Sequence, residues 1–139
     1  KRHRDYVSKK IVQNVCEILH GKRKYIYLGN IKSKIDWGYA KEYVEYSWKI
    51  MQRKKPEFYV IGTGKNNSVE YFVRKCFEYV GLNYKKFIKI DKKLFRPSKT
   101  RNLLADTSKA KKDLNFKPKI DLDGLIKIMM DDELKKYDG

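Results

Sequence analysis

The run YIYLGNIKSKIDWGYAKEYVEYSWKIMQ, residues 25–52, decides the fold, because it joins a strand, a polar loop and an amphipathic helix without interruption. Residues 25–28 are β-prone, and Gly29 and Asn30 stop them with two residue types that tolerate positive φ. From Tyr39 onward, Ala40, Tyr43, Val44, Ser47, Trp48 and Met51 recur at the i, i+3, i+4, i+7 spacing. That spacing predicts a helix over 39–52 with one buried stripe. Asp36 stands just ahead, where a carboxylate suits the free N–H groups and positive end of a helix.

Toward the N-terminus, Val7, Ile11, Val15, Ile18 and Leu19 form a helical stripe that Gly21 is placed to end. Toward the C-terminus, Pro56 marks a break, and the apolar residues 58–61 predict a strand buried on both faces. Gly62-Thr63-Gly64 follows as a turn that invites a phosphate, but the Walker A spacing fails: Tyr59 stands where its first Gly belongs and Asn66 where its Ser or Thr belongs. Ser68 reads instead as the cap of a helix with Val69, Phe72, Val73, Cys76, Phe77 and Val80 inward and Gly81 at its end. Residues 87–90 predict a further strand, Asp106 and Thr107 open a short helix, and Asp121 or Asp123 caps a last one with Leu122, Leu125, Ile126 and Met129 inward. Strands alternating with helices make the chain α/β.

A chain of 139 residues is one domain's worth, and 41% hydrophobic against 37% charged residues places it at the polar end of globular proteins. No apolar run approaches the roughly 18 residues of a membrane span, and the basic start leads into no apolar signal segment, so a cytoplasmic protein is expected. Cys16 and Cys76 lie on helical apolar faces without CxxC spacing, which fits buried free thiols better than a disulfide or a metal site. The net charge of +17 invites a phosphate-bearing partner. Yet the cations are 27 Lys against 7 Arg, spread over the whole length beside abundant Ile, Tyr, Asn and Phe, the set AT-rich codons encode. Nucleic acid is therefore not expected as the principal partner.

Leu28-Gly29-Asn30, followed by Asp36-Trp37-Gly38-Tyr39-Ala40-Lys41-Glu42-Tyr43-Val44, resembles the substrate-domain signature of the GDP-mannose 4,6-dehydratases, a family of extended short-chain dehydrogenase/reductases. The likeness continues in KRHRDYVSKKI at residues 1–11, in Ser68-Val69 with Phe72-Val73, Lys75 and Phe77, and in Asp91-Lys92-Lys93-Leu94-Phe95-Arg96-Pro97. It ends with 103–110 and with Leu114-Asn115-Phe116-Lys117-Pro118, the last shared by many extended dehydrogenases. The resemblance implies the C-terminal substrate-binding portion of such an enzyme, residues 1–139 forming a single region without the main nucleotide-binding sheet. By position it implies Arg2 beside NADP, and Lys10, Asn30 and Arg96 on the GDP-mannose side, Arg96 near the phosphates, where a planar guanidinium pairs two oxygens at once. Four positions depart from the pattern: His3 replaces a Gly, Ile35 an Arg, Tyr39 a His and Lys99 a Glu.

The reaction the resemblance implies oxidises C4 of the mannose with bound NADP, eliminates water across C5 and C6, and returns the hydride to C6. It needs a Tyr base held by Lys and a Thr/Glu pair, and these residues carry neither, nor a G-x-x-G-x-x-G turn. Tyr6 with Lys10 and Tyr71 with Lys75 match Tyr-x-x-x-Lys, but the composition yields about two such strings by chance. No catalytic residue is therefore assigned. The expected function is the nucleotide-sugar-binding side of a GDP-mannose 4,6-dehydratase of deoxysugar (GDP-fucose) biosynthesis, partnered by a nucleotide-binding half or by further copies. The alternatives are a non-catalytic nucleotide-sugar-binding or interaction module and a basic nucleic-acid binder.

Overall fold

The computed structural model describes residues 2–55, 57–95 and 106–138, with side chains from Val7 onward. The chain runs α1 (Arg2–Leu19), β1 (Ile26–Leu28), β2 (Lys34–Ile35), α2 (Ala40–Met51), β3 (Asn67–Ser68), α3 (Val69–Tyr79), β4 (Ile88–Ile90), α4 (Ser108–Leu114) and α5 (Leu122–Leu134). Short 3-10 turns lie at Tyr84–Lys86, Lys92–Leu94 and Lys135–Tyr137.

Two helix-to-strand units are built alike. At the end of α1, Gly21 turns at φ 72°, the Gly21 N–H donates to Ile18 (3.1 Å) and the Lys22 N–H to Glu17 (2.8 Å). At the end of α3, Gly81 turns at φ 76°, with Gly81 donating to Glu78 (3.1 Å) and Leu82 to Phe77 (2.9 Å). Each pair of bonds satisfies the last helical carbonyls, and glycine meets the left-handed turn without a Cβ penalty. Each unit then delivers a strand, β1 and β4, and these pair in parallel with Ile26 opposite Ile88 and Leu28 opposite Ile90. A second, antiparallel ladder joins β2 to β3.

The main core lies among α1, α3, α5 and β1, where Ile11, Val15, Cys16, Phe72, Cys76 and Met130 are fully buried. Ser68 caps α3 by accepting from the Tyr71 N–H (3.0 Å), and Asp121, rather than Asp123, caps α5 by accepting from Gly124 (2.7 Å). Both cysteines are buried free thiols. Burial pushes the Cys16 thiol up to about 11 and Cys76 higher still. A smaller cluster of Tyr46, Ala110, Leu114 and Phe116 joins α2 to α4, with Tyr43, Ile50, Tyr59 and Ile61 packed against it.

Three expectations fail here. Residues 58–61 form no strand: Tyr59 and Ile61 reach the smaller cluster while Phe58 stays 98% exposed. A strand buried on both faces needs neighbours on each side, and neither two-stranded ladder extends to this segment. The stripe of α2 is also turned. Tyr43, Tyr46 and Ile50 face inward, whereas Val44, Trp48 and Met51 are 69%, 60% and 72% exposed. The helix carries two apolar stripes, and α4 with Phe116 covers only one. Finally, Asp36 does not cap α2, whose N-cap residue Tyr39 makes no side-chain cap bond; the carboxylate is engaged elsewhere.

Candidate substrate loop

At the C-terminal ends of β1 and β4 the two motif segments meet. The Leu28 carbonyl accepts from the Asp91 N–H (2.8 Å), after which one strand enters the turn at Gly29-Asn30 and the other the turn at Lys92–Leu94. A Cβ on Gly29 would lie 2.7 Å from the Leu94 carbonyl oxygen, so only glycine allows this approach. Two stretches more than 60 residues apart in the chain thus flank one surface, at the strand ends where open α/β folds hold ligands. Asn30 is exposed, and its side-chain oxygen accepts from the Lys32 N–H (3.0 Å) to fix the turn. Asp91 does the same for Lys93 (2.9 Å).

The loop from Asn30 to Ile35 is held on two sides. The Ser33 and Ile31 carbonyls accept from Val69 and Glu70 (3.0 Å each), so the loop satisfies two amides at the start of α3. Lys32 reaches Glu70 across the same junction at 3.2 Å. Beyond β2, one Asp36 oxygen accepts from the Thr63 N–H (3.1 Å) and the Thr63 hydroxyl, and the other from the Gly64 N–H (3.1 Å). Trp37 donates from its indole to the Asn67 carbonyl (3.1 Å) and stacks on Phe72 with ring centroids 4.4 Å apart. At Gly38 the Tyr43 side chain fills the space a Cβ would take, its hydroxyl oxygen lying 1.8 Å from that position, so any larger residue there would displace the Tyr43 ring.

Of the residues expected at the site, Asn30 lies on this loop. Lys10 sits half-buried on α1. The side chain of Arg2 and all of Arg96 and Lys99 lie outside the described residues. Ile35 packs against the main core. What the sequence reading missed is the grip of Asp36 on the Gly-Thr-Gly turn. The signal was present: a turn with outward amides needs an acceptor, and the invited phosphate is replaced by the chain's own carboxylate.

That substitution bears on the cofactor. With the Thr63 and Gly64 amides taken by Asp36, this turn offers no cradle to a pyrophosphate, so no NADP-dependent step is derived from it. Tyr71 with Lys75 is no catalytic pair either. The Tyr71 hydroxyl donates to Asp123 (2.9 Å), and burial, followed by that bond, pushes its pKa up, the wrong direction for a base. Lys75 lies 5.6 Å from the Tyr71 ring and 3.7 Å from Glu78.

No helix among the described residues is long and apolar enough to cross a membrane. In solved structures the fold recurs in RMD from Pseudomonas aeruginosa complexed with NADPH, with TM-score 0.82 at 11% identity, covering 94% of this chain and 43% of that one. It recurs also in UDP-glucose 4-epimerase from Thermotoga maritima, with TM-score 0.69 at 23% identity, covering 90% and 38%. At those identities the likeness establishes the fold, that of the extended short-chain dehydrogenases. In sequence, GDP-mannose 4,6 dehydratase 1 of Arabidopsis thaliana is 41% identical over 135 residues, 97% of this chain and 37% of that protein. The human GDP-mannose 4,6 dehydratase is 35% identical over 147 aligned positions, 94% of this chain and 40% of that protein. The chain thus spans about two-fifths of the length of these relatives. The family model for GDP-mannose 4,6 dehydratase matches residues 1–129, and by that match the chain belongs to the GDP-mannose 4,6 dehydratase family.

Proposed function

We propose that residues 1–139 supply the nucleotide-sugar-binding side of a GDP-mannose 4,6-dehydratase, the whole enzyme converting GDP-mannose to GDP-4-keto-6-deoxymannose with bound NADP in the cytoplasm. The observation that carries the reading is the meeting of the Gly29-Asn30 turn with the turn leading to Arg96, in a chain matched to the family over residues 1–129. Asn30, Lys10 and Arg96 are assigned to the substrate, and Arg2 to the cofactor's edge. The remaining groups, including the pyrophosphate turn and the Tyr/Lys pair, come from a nucleotide-binding half outside these residues.

Two measurements test this. The purified chain with NADP and GDP-mannose gives no 4-keto-6-deoxy product, whereas co-expression with the nucleotide-binding half of a relative restores it; turnover by the chain alone overturns the division of labour. In titration calorimetry with GDP-mannose on the assembled pair, Arg96→Ala weakens binding by about 1.5 to 3 kcal/mol, the worth of a charge-assisted bond. Unchanged affinity removes Arg96 from the site.

A further inference from the structure

The strand ends opposite the substrate loop carry a feature that the dehydratase reading does not use. Lys22, Lys24, Lys85, Lys86 and Lys89 are all exposed, and none of them makes a salt bridge among the described residues. They come from two distant segments that the fold places side by side, where the Ile26 N–H donates to the Phe87 carbonyl at 2.8 Å. Two rings carry ammonium groups of the patch. Lys89 and Lys24 lie 4.1 and 5.6 Å from the centre of Tyr25. Lys22 lies 5.0 Å from Tyr137, whose ring stacks on His20 at 4.2 Å. Two nearby carboxylates are already engaged, Glu17 with Arg23 at 2.6 Å and Glu133 with Lys136 at 2.9 Å.

From this gathering we infer that the surface at the start of β1 and β4 is a contact face for a nucleic-acid backbone. Scatter along the sequence hid it, but in space the unpaired lysines form one basic patch. Five exposed cations on two neighbouring segments suit the repeated phosphates of a polymer better than the charge of one small anion. The two rings already carry lysines or histidine against them, and contacts to phosphates carry no sequence information, so recognition is sequence-independent. A bilayer is the poorer fit, because the apolar side chains of these segments, Leu82, Phe87, Ile88 and Leu134, pack inward on the core.

The test is fluorescence anisotropy of a labelled 20-nucleotide RNA with the full 139-residue chain between 50 and 200 mM salt, beside co-sedimentation with phosphatidylserine vesicles. Lys22→Glu, Lys24→Glu and Lys89→Glu together are compared with a control of equal charge, Lys54→Glu, Lys55→Glu and Lys65→Glu. The patch variant is expected to lose at least tenfold in affinity, with a salt slope less negative by about 2 to 3, roughly one unit for each phosphate contact removed. The control is expected to change little. Equal losses in both variants, vesicle binding without RNA binding, or no RNA binding at 50 mM salt would each overturn the inference. Should the charge-reversed patch variant melt early, the Lys→Gln triple at the same positions makes the same comparison. GDP-mannose binding is untouched by the patch substitutions, which separates failure here from failure of the dehydratase reading.

Discussion

The two apolar clusters of this chain were built from similar residues and have different fates. The main one, among α1, α3 and α5, closes on itself: Phe72 is fully buried and sandwiched against Trp37. The smaller one covers a single stripe of α2 and leaves Val44, Trp48 and Met51, with Phe58 and Val60 beyond, facing outward. Hydrophobicity in the sequence therefore does not by itself say which residues stabilise this chain; what decides is whether a second element arrives to cover them. Substitution separates the two regions most sharply. Phe72→Ala is expected to destabilise the chain by about 3 to 5 kcal/mol, through lost transfer energy and the cavity left behind. Trp48→Ala, a change of comparable size on the open face, is expected to stay within about 0.5 kcal/mol. Comparable midpoints for both variants in urea denaturation would erase the distinction.

Asp36 ties the substrate loop of the closed region to the Gly-Thr-Gly turn that leads out of the open one. Its carboxylate serves two backbone amides and a hydroxyl at once, so Asp36→Ala strands the Thr63 and Gly64 amides, while the Thr63 hydroxyl keeps the Lys65 carbonyl as acceptor at 3.2 Å. The expected loss is about 1 to 3 kcal/mol, with faster hydrogen exchange at Thr63 and Gly64 and little change in the protection of α3. Slow exchange at both amides in the variant would mean that the turn holds itself.

Much of the closed region was legible in advance, for physical reasons visible in particular residues. Gly21 and Gly81 announced helix ends because only glycine reaches those φ values cheaply, and Ser68 announced a start because its hydroxyl satisfies a free amide. The apolar periodicity of α1 and α3 pointed at a core that is present. The open region defeated the same logic. Periodicity found the outward stripe of α2 as readily as the inward one, because it records what a helix face is suited to meet and not whether a partner stands there. Residues 58–61 read as a strand on composition, yet a strand exists only through its ladder. Asp36 was misassigned because a carboxylate before a helix has a local use, and its long-range partner, 27 residues on, leaves no periodic trace.

The thiols give a smaller, pH-dependent contrast confined to the closed region. An unfolded cysteine ionises near its ordinary value of 9.0, whereas burial holds Cys16 protonated to about 11 and Cys76 further. A folded pKa raised above the unfolded one means stability present below pH 9 and lost progressively as pH rises toward 11, since only the unfolded state then releases protons. Thermal melts between pH 8 and 10.5 are expected to show this decline, and Cys16→Ala with Cys76→Ala to flatten it from a lower starting stability. A decline of equal slope in the double variant would place its origin in the lysines and tyrosines instead.

The smallest effect on stability is expected from the boldest change to the surface, the joint substitution Val44→Lys, Trp48→Lys and Met51→Lys. Burying each of these side chains would contribute about 1.5 to 3 kcal/mol, but at 69%, 60% and 72% exposure most of that is not realised within this chain. Lysine is as good a helix former as methionine and better than valine or tryptophan, so α2 itself is not weakened by propensity. The melting midpoint should therefore stay close to that of the parent, while binding of a hydrophobic dye falls, because the largest open apolar stripe of α2 has been replaced. If a nucleotide-binding half docks on this face, the same variant should also fail to gain activity on co-expression with it, since the interface would then bury three charges. The readouts work against each other in a useful way. A large drop in midpoint would mean that the stripe already supports the isolated chain, for instance through self-association, and activity regained despite the lysines would mean that the covering half docks elsewhere.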